Sequence, residues 1–200
     1  MSEHCDFSVK FWGVRGSISI SDPNSVRYGG NTSCLEVRCG DRLLIFDAGS
    51  GLRYFGNELV ESGEIVNADL FLTHTHYDHI CGIPFFKPFF NPQNTFRLRA
   101  GHLLPETDLR AVLCNLMTSP LFPVPLEIFQ SKIEFHDFLV GDTLNAGPDV
   151  VVRTASLNHP DGASGYRVEY NGQAICYLTD TEHVAGELDQ AILELIDGAD

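Results

Sequence analysis

The stretch Thr73-His74-Thr75-His76-Tyr77-Asp78-His79 decides the interpretation of this 200-residue chain. It places three imidazoles and one carboxylate within six residues, directly after a short apolar run. If the chain stays extended through His76, then His74 and His76 point the same way, because side chains alternate along a strand. A turn into a helix then presents Asp78 and His79 to a neighbouring position. The spacing predicts two adjacent metal sites with mixed nitrogen and oxygen ligands, whereas the alternative is a polar loop with surface histidines.

Strands are predicted on both sides of this cluster, with helices between them. Gly40-Asp41 joins two strands in a hairpin, and Pro105 stands in the first turn of one helix. Thr118–Gln130 holds three prolines among apolar residues and is predicted to be a loop or lid. These elements predict two sheets with helices on their outer faces, which is a layered α/β architecture. The predicted strands are Phe7–Trp12, Ser33–Cys39, Arg42–Phe46, Asp69–Leu72, Thr95–Ala100, Lys132–Asp137, Val150–Ala155, Gly165–Tyr170 and Ala174–Leu178, and the predicted helices are Leu52–Glu61, Pro105–Met117 and Glu187–Ile196.

Length and composition favour one globular domain over residues 1–200. Hydrophobic residues make up 44% and charged residues 20% of the chain, which is ordinary for a folded domain. The first ten residues carry acidic groups and no apolar segment of the kind a secretory signal needs, so we expect a cytoplasmic protein with no membrane contact. In that compartment the six scattered cysteines are expected to be reduced and mostly buried, with disulfides as the alternative.

The formal net charge of −14 limits which partners the protein is expected to bind. Affinity for nucleic acid rests largely on basic groups that neutralise phosphates, so this charge disfavours long RNA or DNA. A small anion is still compatible with it, because metal ions and a few arginines can reverse the field inside one cleft. A small phosphoester is therefore the expected partner, and a homodimer is left open.

The cluster also carries a family resemblance. The stretch His74–His79 resembles the HxHxDH signature of the metallo-β-lactamase superfamily, which implies an αββα sandwich fold. Asp47, at the end of an apolar run, resembles the upstream aspartate that supports the metal site. His159 resembles the next metal ligand, and Asp180 resembles the carboxylate that bridges two metals. From sequence alone, Asp180 could instead cap a helix and His159 could be a turn residue.

Two glycine-rich segments near the N-terminus make the resemblance more specific, because they are similar to those of one branch of the superfamily. The motif WGVRGS, residues 12–17, and the motif GGNTSC, residues 29–34, are similar to those of ribonuclease Z-like and phosphodiesterase-like members. Their turns could offer backbone N–H groups to an anion, and Arg15 could clamp a phosphate. Ser17 and Asn31 are the other predicted substrate-binding residues. The alternative is a tight structural turn with Arg15 in a surface salt bridge.

The resemblance implies a mechanism based on two divalent ions. Zinc is expected, with manganese or iron as alternatives, and a bridging water is activated between the metals. Asp78 is expected both to bind metal and to orient the nucleophile. His183 is a candidate proton donor for the leaving group, or else a solvated histidine. The ligand assignment is His74, His76 and His159 on one metal, Asp78 and His79 on the other, and Asp180 between them.

One feature departs from the superfamily pattern. Members usually supply a last histidine to the second metal from beyond the Asp180 region, but the only later histidine here is His183. We therefore expect a truncated form of the fold or an incomplete second site with weaker metal binding.

Three functions are compatible with these features. The first is a metal-dependent phosphodiesterase that acts on a small nucleotide or related diester. The second is a thioester or lactam hydrolase of the same fold, and the third is a metal-stabilised module without catalysis. The aromatic segments Phe85–Phe90 and Leu121–Phe129 line the cleft, form a dimer contact, or pack as a local cluster under a long loop.

Overall fold

The computed structural model describes residues 7–200, which form ten strands and four α-helices. Residues 1–6, which include Cys5 and most of the segment examined for a secretory signal, lie outside the described residues. The strands are β1 (Phe7–Gly13), β2 (Cys34–Cys39), β3 (Arg42–Phe46), β4 (Asn67–Leu72), β5 (Thr95–Ala100), β6 (Lys132–Asp137), β7 (Thr143–Gly147), β8 (Val150–Leu157), β9 (Ala163–Tyr170) and β10 (Gln173–Tyr177). The helices are α1 (Gly51–Ser62), α2 (Tyr77–Ile80), α3 (Leu109–Leu116) and α4 (Gln190–Ile196).

The strands form two sheets, with the orders β1-β2-β3-β4-β5-β6 and β10-β9-β8-β7. The predicted hairpin at Gly40-Asp41 joins β2 to β3 antiparallel, whereas β3, β4, β5 and β6 run parallel. Parallel neighbours need crossover connections, which contain α1 and α3. As a result the carboxyl ends of β3, β4 and β5 meet at one edge of the first sheet, where α/β folds usually bind ligands.

The burial pattern of β3 shows how the layers stack. Leu43 and Ile45 join the hydrophobic cluster beneath α1 and α3, whereas Leu44 and Phe46 join the cluster between the sheets. On the far side, Ile192 of α4 packs against the second sheet. The layer order is therefore helix, sheet, sheet, helix, and the predicted αββα sandwich is confirmed.

Two predicted helices begin later than expected, because an aspartate caps each one. The first was expected to begin at Pro105, but α3 begins after Asp108, whose carboxylate accepts a hydrogen bond from the amide of Ala111. In the same way α4 begins after Asp189, whose carboxylate accepts from the amide of Ile192. Asp is a preferred residue at this position, since its side chain satisfies a free N–H of the first turn.

One strand of the structure was not predicted, and one helix buries an unexpected residue. The strand β7 was missed, because its sequence TLNAG is short, holds only two apolar residues and ends at a glycine. In α1, Val60 is 52% exposed although it is apolar. Gly56 of the same helix is buried, and a Cβ there would lie only 2.7 Å from the ring of Phe86.

The cysteines and the aromatic segment Phe85–Phe90 are buried to different extents. The five cysteines of the described residues are free thiols, and two of them, Cys34 and Cys39, are buried. Phe86 and Phe89 of the aromatic segment are fully buried in the main core, whereas Phe85 is 53% exposed. No helix within residues 7–200 has the length and apolar character needed to cross a membrane.

Candidate metal centre

Loops that follow four strands deliver the predicted site residues to one edge of the fold. Asp47 directly follows β3, and His74 lies two residues after the end of β4, both in the first sheet. His159 and Asp180 follow β8 and β10 in the second sheet. The candidate site is therefore assembled from both sheets.

The backbone changes conformation inside the histidine cluster. His76 is extended, with φ −61° and ψ 152°, and the single helical turn α2 begins at the next residue. This is the switch from strand to helix that the spacing predicts. It carries His79 and Asp78 to a different side of the site from His76.

The donor atoms of the cluster fall into two groups that share one side chain. The first group is His74, His76 and His159, and the second is His74, His79 and Asp180. Within each group, one ligand atom from each residue lies within 4.8 Å of the others. Because His74 belongs to both groups, the two candidate metal positions are adjacent.

The carboxylate of Asp180 lies among the imidazoles. Its Oδ2 is 3.7 Å from Nε2 of His74, 3.4 Å from Nε2 of His79 and 3.9 Å from Nε2 of His159. The φ of Asp180 is +41°, in the left-handed region that non-glycine residues rarely adopt. This is the place that a carboxylate shared by two cations would occupy.

Asp47 is fully buried and holds the histidines from behind. Its carboxylate accepts hydrogen bonds from the amide of Thr73 (2.8 Å) and from the hydroxyls of Thr73 (2.9 Å) and Tyr177 (2.9 Å). It also lies 2.9 Å from Nδ1 of His79, and the hydroxyl of Thr73 lies 3.0 Å from Nδ1 of His74. This network favours a proton on Nδ1 of both histidines, which leaves each Nε2 lone pair free to bind a metal.

Ring nitrogens without a hydrogen-bond partner show whether the site fits a cation. Nε2 of His74 and Nε2 of His79 are buried and have no hydrogen-bond partner among the described residues. Buried polar atoms nearly always have a partner, so two such nitrogens beside the carboxylate of Asp180 are unusual for a purely structural cluster. Imidazole nitrogen and carboxylate oxygen are ligands of zinc and similar transition metals, so the donor set fits a divalent ion.

The electrostatics of the site favour the metal-binding forms of His74 and Asp180. Burial lowers the pKa of His74 to about 4, and the neighbouring His79 acts in the same direction. Burial lowers the pKa of His79 too, but its hydrogen bond to Asp47 and the charge of Asp47 outweigh this and raise it. Burial raises the pKa of Asp180, but the Thr179 hydroxyl and the imidazoles outweigh burial and lower it. At neutral pH His74 is therefore neutral and Asp180 ionised, which are the forms that bind metal.

Asp78, a predicted ligand, lies beside the second group rather than within it. Its Oδ2 is 3.5 Å from Nε2 of His79 and accepts a hydrogen bond of 2.7 Å from the backbone N–H of Ser17. The predicted residue Ser17 thus reaches the site through its backbone, and it fastens the loop after β1 to the cluster.

The structure does not bring three other predicted residues into contact with the imidazoles. Nε of Arg15 donates to the carbonyl of Gly29, and Oδ1 of Asn31 accepts from the hydroxyl of Ser50. Both contacts stabilise the glycine-rich turns near the N-terminus. The exposed side chain of His183 makes no hydrogen bond or ion pair with another residue of the range 7–200.

Three further residues support the cluster but had no predicted role. Thr73 bonds both Asp47 and His74, and its position directly before His74 was the only available signal. Tyr177 bonds Asp47 across 130 residues of chain, which no local pattern reveals. His102 follows β5, and its Nε2 lies 3.1 Å from the hydroxyl of Thr75.

The four-layered fold and the imidazole–carboxylate cluster at its edge define the class of protein, a layered α/β fold with a candidate metal centre. The family described as a beta-lactamase superfamily domain matches residues 42–200, and the chain belongs to this family. The chain is thus a metallo-β-lactamase-fold domain, as the HxHxDH resemblance predicts. No curated protein sequence matches the chain.

Solved structures share this fold at low sequence identity. The short form of human tRNase Z is 19% identical, with 96% of this chain and 75% of that chain covered and a TM-score of 0.66. A diphosphatase of the PhnP family is also 19% identical, with 96% and 71% covered and a TM-score of 0.63. The metallo-β-lactamase-fold protein YhfI from Bacillus subtilis is 17% identical, with 88% and 63% covered and a TM-score of 0.63. The chain therefore spans less than two thirds of the length of YhfI.

Proposed function

We propose that the protein is a metal-dependent phosphodiesterase that acts on a small phosphodiester. The observation that carries the proposal is the pair of overlapping donor groups, with two buried imidazole nitrogens that have no hydrogen-bond partner within residues 7–200. Two proteins with the same fold are a tRNase and a diphosphatase, names that both denote cleavage of a bond at phosphorus. The net charge of −14 disfavours the binding of long polyanions, so the proposed substrate is a small one.

The proposed ligands combine the two donor groups with the family resemblance, which adds Asp78. His74, His76 and His159 would hold one divalent ion, and His79 with Asp78 would hold a second, with Asp180 shared between the two. Two such ions, zinc in the first instance, supply an acidified water and positive charge for the phosphoryl oxygens.

The chain itself supplies orientation and proton transfer. The carboxylate of Asp78, fixed by the amide of Ser17, is placed to orient the attacking water. Asp47 keeps the ring of His79 in position through Nδ1. His183, exposed three residues beyond Asp180, is the proposed donor of a proton to the leaving group.

Comparison of three reporter substrates tests this function. The protein is loaded with zinc, manganese or ferrous ion and given bis-p-nitrophenyl phosphate, a thioester and a chromogenic cephalosporin. We expect turnover of the diester, strong loss of it in His159→Ala, and little change in His136→Ala, a matched control on the exposed face of β6. Turnover of only the thioester or the cephalosporin would overturn the proposal. A metal-dependent gain in stability without turnover of any ester would instead indicate a non-catalytic module.

A further inference from the structure

A cavity of about 390 Å³ opens beside the candidate metal centre, and the proposed chemistry does not use it. It lies between the loop after β1, the first turn of α1 and the segment that begins with α2. This volume is within the range of small-molecule sites, about 300–1,000 Å³. A second cavity, of about 490 Å³, lies at the other ends of β4 and β5, away from the histidines.

One wall of the 390 Å³ cavity belongs to the metal centre itself. Asp78 lines it, and the carboxylate of Asp78 lies 3.5 Å from Nε2 of His79. Ser17, whose amide holds that carboxylate, lines the same cavity. A molecule whose reacting group lies at the imidazole cluster could therefore extend past Asp78 into this space.

The opposite part of the cavity is apolar and solvent-facing. Tyr77 is 70% exposed, Phe85 is 53% exposed and Ile18 is 69% exposed, although all three line a concave site. The neighbouring Phe86 and Phe89 are fully buried in the core, whereas Phe85 of the same aromatic segment lies outside it. The ring of Phe85 packs edge-on against Phe122, with the ring centres 5.9 Å apart, and its exposed part faces solvent. Apolar side chains that stay exposed around a cavity are typical of ligand sites.

The lining also includes one positively charged side chain. Arg53, on the first turn of α1, forms no ion pair with an acidic side chain in the part of the chain that the structure describes. Its guanidinium lies 6.0 Å from the ring centre of Tyr54. Beside it, Ser50 has its hydroxyl fixed by the amide of Thr32 at 2.9 Å. Guanidinium donors suit the acceptor atoms at the edge of a nucleobase.

We infer that this cavity is the specificity pocket of the enzyme and that it takes the nucleobase of a nucleotide diester. Tyr77 and Phe85 provide the stacking surfaces, and Arg53 donates to the polar edge of the base. The inference rests on the proposed phosphodiesterase function, and it names the substrate class of that same site. Stacking of a base on an aromatic side chain contributes about 1–3 kcal/mol.

Binding and turnover test the pocket separately. Calorimetric titration compares adenosine 5′-monophosphate with inorganic phosphate, and kinetics compare the p-nitrophenyl ester of thymidine 5′-monophosphate with methyl p-nitrophenyl phosphate. We expect the wild type to prefer the nucleoside compound of each pair. In Tyr77→Ala and Phe85→Ala that preference should fall roughly ten-fold, which corresponds to the loss of one stacking contact. Arg53→Gln should lower it by a similar factor, because it removes a charged donor to the base edge. Phe11→Ala, which removes an exposed ring on β1 outside the cavity, is the matched control and should leave both preferences unchanged.

The outcomes distinguish this inference from the function on which it rests. If the wild type turns over both esters with no preference, or if the variants weaken both members of each pair equally, the pocket assignment is wrong while the phosphodiesterase proposal stands. If neither ester is cleaved, the phosphodiesterase proposal fails, and the titration still decides whether the cavity binds a base.

Discussion

At the scale of single residues, the carboxylate of Asp47 has the widest influence on the candidate metal centre. It is fully buried, and it contacts Thr73, His79 and Tyr177 at 2.8–3.0 Å. Asp47→Asn keeps the size of the side chain but removes the negative charge and one acceptor. We expect metal affinity to fall about 10–100-fold, the usual effect of losing a partner behind a metal ligand. Competition with a chromophoric chelator measures it.

Tyr177→Phe is the control for this substitution, because it removes one donor to Asp47 and leaves the carboxylate in place. Its effect on metal affinity should be smaller than that of Asp47→Asn. Equal affinity in the wild type and in a folded Asp47→Asn protein would show that Asp47 has only a structural role.

A second buried aspartate has a different function. Asp69 of β4 is fully buried between three arginines, with Arg42 at 2.8 Å, Arg97 at 3.0 Å and Arg99 at 2.8 Å. Asp69→Asn leaves three guanidinium groups without their shared counter-charge. We expect a loss toward the lower end of about 3–5 kcal/mol in the free energy of unfolding, because the arginines keep some contact with water. Denaturant unfolding measures the loss.

This cluster lies outside the candidate metal centre, so the Asp69→Asn protein that remains folded should still bind metal with wild-type affinity. Glu58→Gln removes the exposed partner of Lys10 and should change stability far less, since exposed ion pairs contribute little. A loss in Asp69→Asn no larger than that in Glu58→Gln would contradict the assignment.

At the scale of elements, the aspartate caps decide where helices begin. Asp108 accepts a hydrogen bond of 2.8 Å from the amide of Ala111, so Asp108→Ala leaves an amide of the first turn of α3 unpaired. We expect a loss of about 1 kcal/mol in stability, typical of a helix cap, with no change in metal affinity. Thermal unfolding followed by circular dichroism measures the loss, and Asp108→Asn should restore most of it. A change in metal affinity would show that α3 is coupled to the site.

The elements also show which features a sequence reveals. The strand-to-helix switch at His76 was predictable, because every signal for it lies within seven residues. The caps at Asp108 and Asp189 were also visible, but Pro105 and the apolar pattern suggested earlier helix starts. The bond from Tyr177 to Asp47 was not predictable, since it depends on how the second sheet packs over the first. For the same reason no pattern in the sequence placed Tyr77, Phe85 and Arg53 around one cavity.

At the scale of the whole molecule, the candidate metal centre joins the two sheets. His74, His76 and His79 follow a strand of the first sheet, whereas His159 and Asp180 follow strands of the second. Ions bound by both sets would hold the layers together, so metal binding and stability should be linked. A ligand present at 100 times its Kd stabilises the folded state by about 2.7 kcal/mol.

Removal of metal by a chelator should therefore lower the Tm by roughly 5–10 °C, because each kcal/mol moves the Tm of a protein of this size by about 2–4 °C. Calorimetry with and without added zinc measures the shift. The decisive variant is His159→Ala/Asp180→Ala, which keeps all the first-sheet histidines but removes the second-sheet ligands. It should lose most of the zinc-dependent shift, whereas His136→Ala should keep all of it. If the double variant kept the whole shift, the ions would be held by the first sheet alone, and the centre would not connect the two layers.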